Sequence, residues 1–132
     1  MTDLSKIKAA ARQVAFARRK VAHAGADGAV ASMLSGVLAG YRGVPMSGYV
    51  PIRTALAPLP AMAEAAAHGL VGVPVITGPD KPLKFSRWEP DCPMREGPFG
   101  ARVPLVDNFF EPEILIVPLV AFDPDGGRLG YG

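Results

Sequence analysis

The chain has 132 residues, 49% apolar and 20% charged, the size and balance of one globular domain and too apolar for a disordered tail. Charges or prolines interrupt every apolar stretch before the roughly 18 consecutive residues that a membrane-spanning helix requires. A single cysteine, Cys92, excludes an internal disulfide framework and a four-cysteine zinc site, and a net charge of +2 is too small for the broad basic face of a nucleic-acid protein. The expectation is a soluble protein of a reducing cytoplasm.

Residues 4–22 read as a helix capped by Asp3 or Ser5, with Leu4, Ile7, Ala11, Val14 and Val21 near helical spacing. Its other face is basic: Lys6, Lys8, Arg12, Arg18, Arg19 and Lys20 are opposed by Asp3 alone. A solvated face is the plain reading of this asymmetry. A transit peptide is a second, weakened by the lack of the usual serine richness. After a break at Gly25 and Gly28, Ala29, Val30, Met33, Leu34, Val37 and Leu38 repeat as a second helix that ends near Gly40.

Residues 46–52 form a strand candidate, and the alanine-rich run 61–68 a helix stopped by Gly69. Residues 71–77 are β-rich, with Pro74 predicting an edge or irregular strand. The alternation over 83–88 predicts a half-exposed strand, and the proline-studded stretch 89–112 a long loop. Residues 114–122 are apolar without alternation, which predicts a strand buried on both faces of a parallel sheet, with an interruption at Pro118. The alternation of helices and strands predicts a three-layer α/β/α domain with a mainly parallel sheet, spanning 1–132.

Directly after this last strand comes Asp123-Pro124-Asp125-Gly126-Gly127-Arg128-Leu129-Gly130-Tyr131-Gly132. Ligands of open α/β sheets bind at the carboxyl ends of strands, where glycines let backbone N–H groups approach phosphate. A glycine-rich turn is structural as often as functional. Arg128 adds a fixed cation suited to phosphate oxygens.

The segment Ile116-Val117-Pro118-Leu119-Val120-Ala121-Phe122-Asp123 followed by Gly127-Arg128-Leu129-Gly130-Tyr131-Gly132 resembles the signature of the 5-formyltetrahydrofolate cyclo-ligase (methenyltetrahydrofolate synthetase) family. The resemblance extends through Phe85-Ser86-Arg87-Trp88-Glu89-Pro90, Gly97-Pro98-Phe99-Gly100 and Gly48-Tyr49-Val50-Pro51-Ile52 back to Lys8 and Arg12. It implies a carbon–nitrogen ring-forming ligase that closes 5-formyltetrahydrofolate to 5,10-methenyltetrahydrofolate with ATP and Mg2+, as a cytoplasmic monomer without nucleic-acid or membrane partners. The formyl oxygen would attack the γ-phosphate, and N10 would then close the ring as phosphate departs.

Carried over by residue, Lys8 and Arg12 match the family's N-terminal ATP-binding pair. Arg128, Leu129, Gly130, Tyr131 and Gly132 match its nucleotide loop, with Arg128 as the catalytic cation. Val50, Ala55 and Tyr131 match the folate side. Two departures stand out. Ala55 occupies the position where the family carries a folate-holding Glu. The family also runs on beyond the position of Gly132, including an Asp used near Mg2+, so the expectation is a C-terminally truncated member lacking those elements. A non-catalytic nucleotide- or folate-binding derivative is therefore a second reading. A nucleic-acid module using the basic first helix is a third, and that helix lacks interleaved aromatics.

His23, His68 and Cys92 have no partners at metal or nucleophile spacing, and Glu89, Asp91 and Glu96 read as solvated loop acids. Trp88 and Phe99 read as packing residues before pterin contacts.

Overall fold

The computed structural model describes residues 3–24, 29–51, 57–98 and 101–129. They divide into two compact units: one contains residues 1–27, 53–56 and 117–132, the other 28–52 and 57–116.

The larger unit is an α/β arrangement. Helix α2 (Ala29–Leu38) runs into a 3-10 turn (Ala39–Tyr41), then strand β1 (Met46–Ser47), helix α3 (Leu59–Ala66) and strand β2 (Val71–Val75). Strands β3 (Lys84–Arg87), β4 (Met94–Glu96), β5 (Arg102–Pro104), β6 (Phe109–Phe110) and β7 (Ile114–Leu115) follow. Five of these form one sheet in the order β6-β3-β2-β1-β7. Its centre is parallel, β1 pairing with β2 and β7, and β2-β3 and β3-β6 are antiparallel. The α/β class and the parallel pairing around β1 match the sequence reading.

Helix α3 starts two residues earlier than expected. Pro58 is its N-cap and Pro60 lies in its first turn, where a missing N–H costs nothing because first-turn donors have no intrahelical partner. Its inner face supplies Ala61 and the fully buried Met62, which join Leu38 of α2, Met46, Val71, Val73 and Trp88 in the core. Each such aliphatic side chain gains about 1.5–3 kcal/mol on leaving water. Trp88 is thus a core residue, as its size favours. The two buried serines are satisfied: Ser47 Oγ donates to the Gly72 carbonyl at 3.0 Å, and Ser86 Oγ accepts the Asn108 N–H at 3.1 Å.

Pro74 is predicted to lie at an edge, yet β2 is interior. The Trp88 N–H donates to Val71 O at 2.7 Å, so Val71, Val73 and Val75 turn their backbone groups to β3, and Gly72 and Pro74 turn theirs to β1. Pairing with β1 has already ended at that height. The donor that the proline lacks falls where the β1–β2 ladder stops.

Three further expectations are corrected. The strand expected over 46–52 is two residues long, although the Gly48 N–H adds one bond to Gly72 O at 3.0 Å; Ile52 lies outside the described residues. The stretch 89–112 is not one loop. It holds the β4–β5 hairpin and the edge strand β6, with Pro93, Pro98 and Pro104 at element boundaries where no ladder donor is lost. The run 114–122 is not one strand buried on both faces. Only β7 pairs in the main sheet, at its edge among the described residues, with Leu115 half exposed. The chain is irregular through the donor-less Pro118.

The smaller unit contains helix α1 (Asp3–Ala24) and a hairpin of strands β8 (Ala121–Phe122) and β9 (Arg128–Leu129).

Candidate functional site

Alanines at 9, 10, 11, 15, 17, 22 and 24 make 3–24 a strong helix former, and the helix follows. Lys8 and Arg12, one turn apart, fall on the same side. Continuing that stripe leads to Ala15 and Arg19, which with Phe16 are the partly buried residues of α1 among those described. The Arg19 guanidinium carbon lies 4.8 Å from the Phe16 ring centroid, a cation–π distance that braces this side. The two expected phosphate ligands lie on the side of the helix that carries these partly buried residues, both exposed at their own positions. Away from it, Ile7, Val14 and Val21 are more than half exposed, Val21 to 76%, and so is Leu4, one turn before Lys8. Periodicity identified an apolar face and a basic face. It did not tell which of them the fold would cover.

The β8–β9 hairpin is closed by a turn built on Asp123. One carboxylate oxygen, Oδ1, accepts the N–H of Asp125 at 2.9 Å and of Gly127 at 2.8 Å. On the backbone, the Asp123 N–H donates to Gly127 O at 3.0 Å and the Gly126 N–H to Asp123 O at 3.2 Å. Gly126 has φ +88°, in the left-handed region that glycine adopts without a Cβ penalty. A Cβ at Gly127 would collide with the Asp123 carboxylate. The amides of Asp125 and Gly127 are thus engaged within the turn itself. The signal for this turn was present in the sequence: Asp two residues before a second Asp and a Gly-Gly pair is an Asx-turn pattern.

Arg128 follows at once, pairing with Phe122 across the hairpin and exposed. Leu129 is partly buried, and its carbonyl accepts the Val120 N–H at 2.9 Å. Lys8, Arg12, Arg128 and Leu129 all belong to the smaller unit. Lys8, Arg12 and Arg128 form no ion pair among the described residues, whereas Arg42, Arg87 and Arg95 bridge Glu64, Glu89 and Asp107 at 3.9, 2.9 and 3.6 Å. Lys6, Arg18, Lys20, Lys81, Lys84 and Arg102 share this lack of an ion pair among the described residues.

Val50 is partly buried in the larger unit, packed against its core. Ala55, Gly130, Tyr131, Gly132 and Phe99 lie outside the described residues. Cys92 Sγ lies 3.6 Å from Met94 Sδ, lining an open concavity of about 260 Å³ with Arg87, Glu89, Leu105, Val106 and Asn108. No histidine lines it. Among the described residues no group of three or more His, Cys, Asp or Glu side chains could hold a metal ion. No helix among them is long and apolar enough to cross a membrane.

No family model matches the chain. Over 55 residues it is 47% identical to the 5-formyltetrahydrofolate cyclo-ligase of Haemophilus influenzae, a match covering 38% of this chain and 29% of that protein. It aligns with the NMR structure of the 5,10-methenyltetrahydrofolate synthetase of Aquifex aeolicus at a TM-score of 0.69 and 22% identity, over 96% of this chain and 68% of that one. The match to the curated relative spans less than a third of its length, and the structural likeness shows a shared α/β fold.

Proposed function

We propose that this chain, which belongs to the 5-formyltetrahydrofolate cyclo-ligase family, acts in the ATP-dependent conversion of 5-formyltetrahydrofolate to 5,10-methenyltetrahydrofolate. The observation that carries this reading is the 47% identity over 55 residues to a protein of that name. Its support is chemical: Lys8, Arg12 and Arg128, cations in no carboxylate ion pair among the described residues, belong to one compact unit.

The reaction needs a γ-phosphate held in line with the formyl oxygen while charge spreads over its equatorial oxygens. Lys8 and Arg12 offer two positive heads one helical turn apart to the polyphosphate. Arg128, with a planar guanidinium, suits two phosphoryl oxygens at once and offsets the charge that develops on them. The formyl oxygen takes the phosphoryl group and ADP leaves. N10 then bonds to the formyl carbon, loses its proton, and phosphate departs.

The described residues build no cage for Mg2+. The cation would arrive on the nucleotide phosphates with its own waters, and no step is assigned to it. Val50 and Ala55 are the positions matched to the family's folate side, and Ala55 stands where the family carries a carboxylate. Loss of such a charged partner favours the second reading, a nucleotide- or folate-binding derivative without turnover.

Titration calorimetry with MgATP tests the assignment. Arg128→Ala is expected to weaken binding about 10- to 100-fold, the loss of a charge-assisted hydrogen bond. Equal affinity of the two proteins rejects it. Absorbance of the methenyl product separates the readings, because turnover by the 132-residue chain removes the binding-only alternative.

A further inference from the structure

We infer that Asp123 is a positioning residue for nucleotide binding, acting through the turn that delivers Arg128; this rests on the reading of Arg128 as a phosphate ligand. Four hydrogen bonds centred on Asp123 close the reversal between β8 and β9: two to its Oδ1, from Asp125 and Gly127, and one each through its backbone N–H and carbonyl. Gly127 is the residue immediately before Arg128. The carboxylate that fixes the Gly127 amide at 2.8 Å therefore fixes the point from which the guanidinium starts.

The two glycines belong to the same device. Gly126 supplies the positive φ and Gly127 leaves the space that the carboxylate fills. Their role is to shape the turn, and the phosphate oxygens are left to the Arg128 side chain. A carboxylate so near an anion site repels the ligand at long range. Its presence is explained by what it holds in place, and the amides it occupies are not free to take phosphate.

This assignment differs in outcome from a direct role. A side chain that only accepts two N–H bonds is replaceable by Asn, whose carbonyl oxygen accepts equally well without charge. A carboxylate that acted by its charge, on a metal ion for example, is not. The coupling to Gly127 gives a second signature: a methyl group there collides only while Asp123 is present.

The test is MgATP affinity of the full chain by calorimetry, with Trp88 fluorescence verifying that each variant retains its core. Asp123→Ala is expected to weaken binding about tenfold, as loss of the two side-chain turn bonds lets Arg128 sample other positions. Asp123→Asn stays within about twofold of the wild type, or binds slightly tighter. Gly127→Ala weakens binding by itself and adds nothing in the Asp123→Ala background, a non-additivity that a general loss of stability does not produce. If Asp123→Ala fails to fold, the Asn variant and Gly127→Ala carry the same test.

Wild-type affinity in Asp123→Ala, with Arg128→Ala weakened, overturns the inference alone. An Asn variant as poor as Ala overturns it in favour of a charge role. Absence of wild-type binding, or an unaffected Arg128→Ala, overturns the nucleotide reading and this inference with it.

Discussion

Replacing Met62 with alanine removes three heavy atoms from a site with no solvent exposure, enclosed by Leu38, Met46, Val71, Val73 and Trp88. The loss combines the transfer free energy of the deleted atoms with the cavity left behind, about 2–5 kcal/mol. Trp88 is the sole tryptophan and a member of the same cluster, so its fluorescence reports the event directly. Urea titration is expected to give a lower midpoint with an unchanged slope. A loss below about 1 kcal/mol would mean that the site collapses around the smaller residue or lies outside the cooperative core. Val14, more than half exposed on α1, is the contrasting position. There the same reasoning gives a change within about 0.5 kcal/mol.

At the scale of elements, pattern was readable where local chemistry decided the outcome and unreadable where partners did. Alanine-rich α1 and α3 and the valines of β2 fall where their propensities put them. The run 114–122 has the composition of a buried strand, yet burial on two faces requires a neighbour on both, and Pro118 denies the ladder a donor midway. Pro74 was misleading in the opposite sense. Its cost depends on which side of β2 its nitrogen faces, a matter of register that one sequence does not carry. The register aims that nitrogen past the end of β1, toward the Gly48 carbonyl, which the Ser47 hydroxyl approaches at 3.1 Å. Pro74→Val is therefore expected to shift thermal stability by less than about 1 kcal/mol, a restored donor being set against the greater freedom of the unfolded chain. A gain near 3 kcal/mol, the usual relief when a proline leaves a ladder or helix interior, would show that the register is otherwise.

Across the whole molecule the charge is unevenly divided. Six of the fourteen cations and one of the twelve acids lie in α1, so that helix carries +5 and the remainder −3, which sums to the net +2. The candidate site was legible in the same uneven way. Arg128 was read from its residue type after the last strand, and Lys8 and Arg12 were singled out by the family resemblance. Asp123's hold on the turn, and the outward apolar stripe of α1, depend on geometry that spacing does not encode. If the cations of α1 act on a nucleotide, they do so in two ranges. Lys8 and Arg12 would act by contact, and Lys6 and Lys20, which no residue of the proposed site requires, only through the field. Raising KCl from about 0.05 to about 0.5 M shortens the screening length from roughly 14 to 4 Å, which silences the second group and spares the first. Lys20→Glu is therefore expected to weaken MgATP binding several-fold at low salt and to match the wild type at high salt. Arg128→Ala remains defective at both. A Lys20→Glu defect that persists in high salt would make Lys20 a direct ligand, and an Arg128→Ala defect that salt erases would reduce Arg128 to one more member of the field.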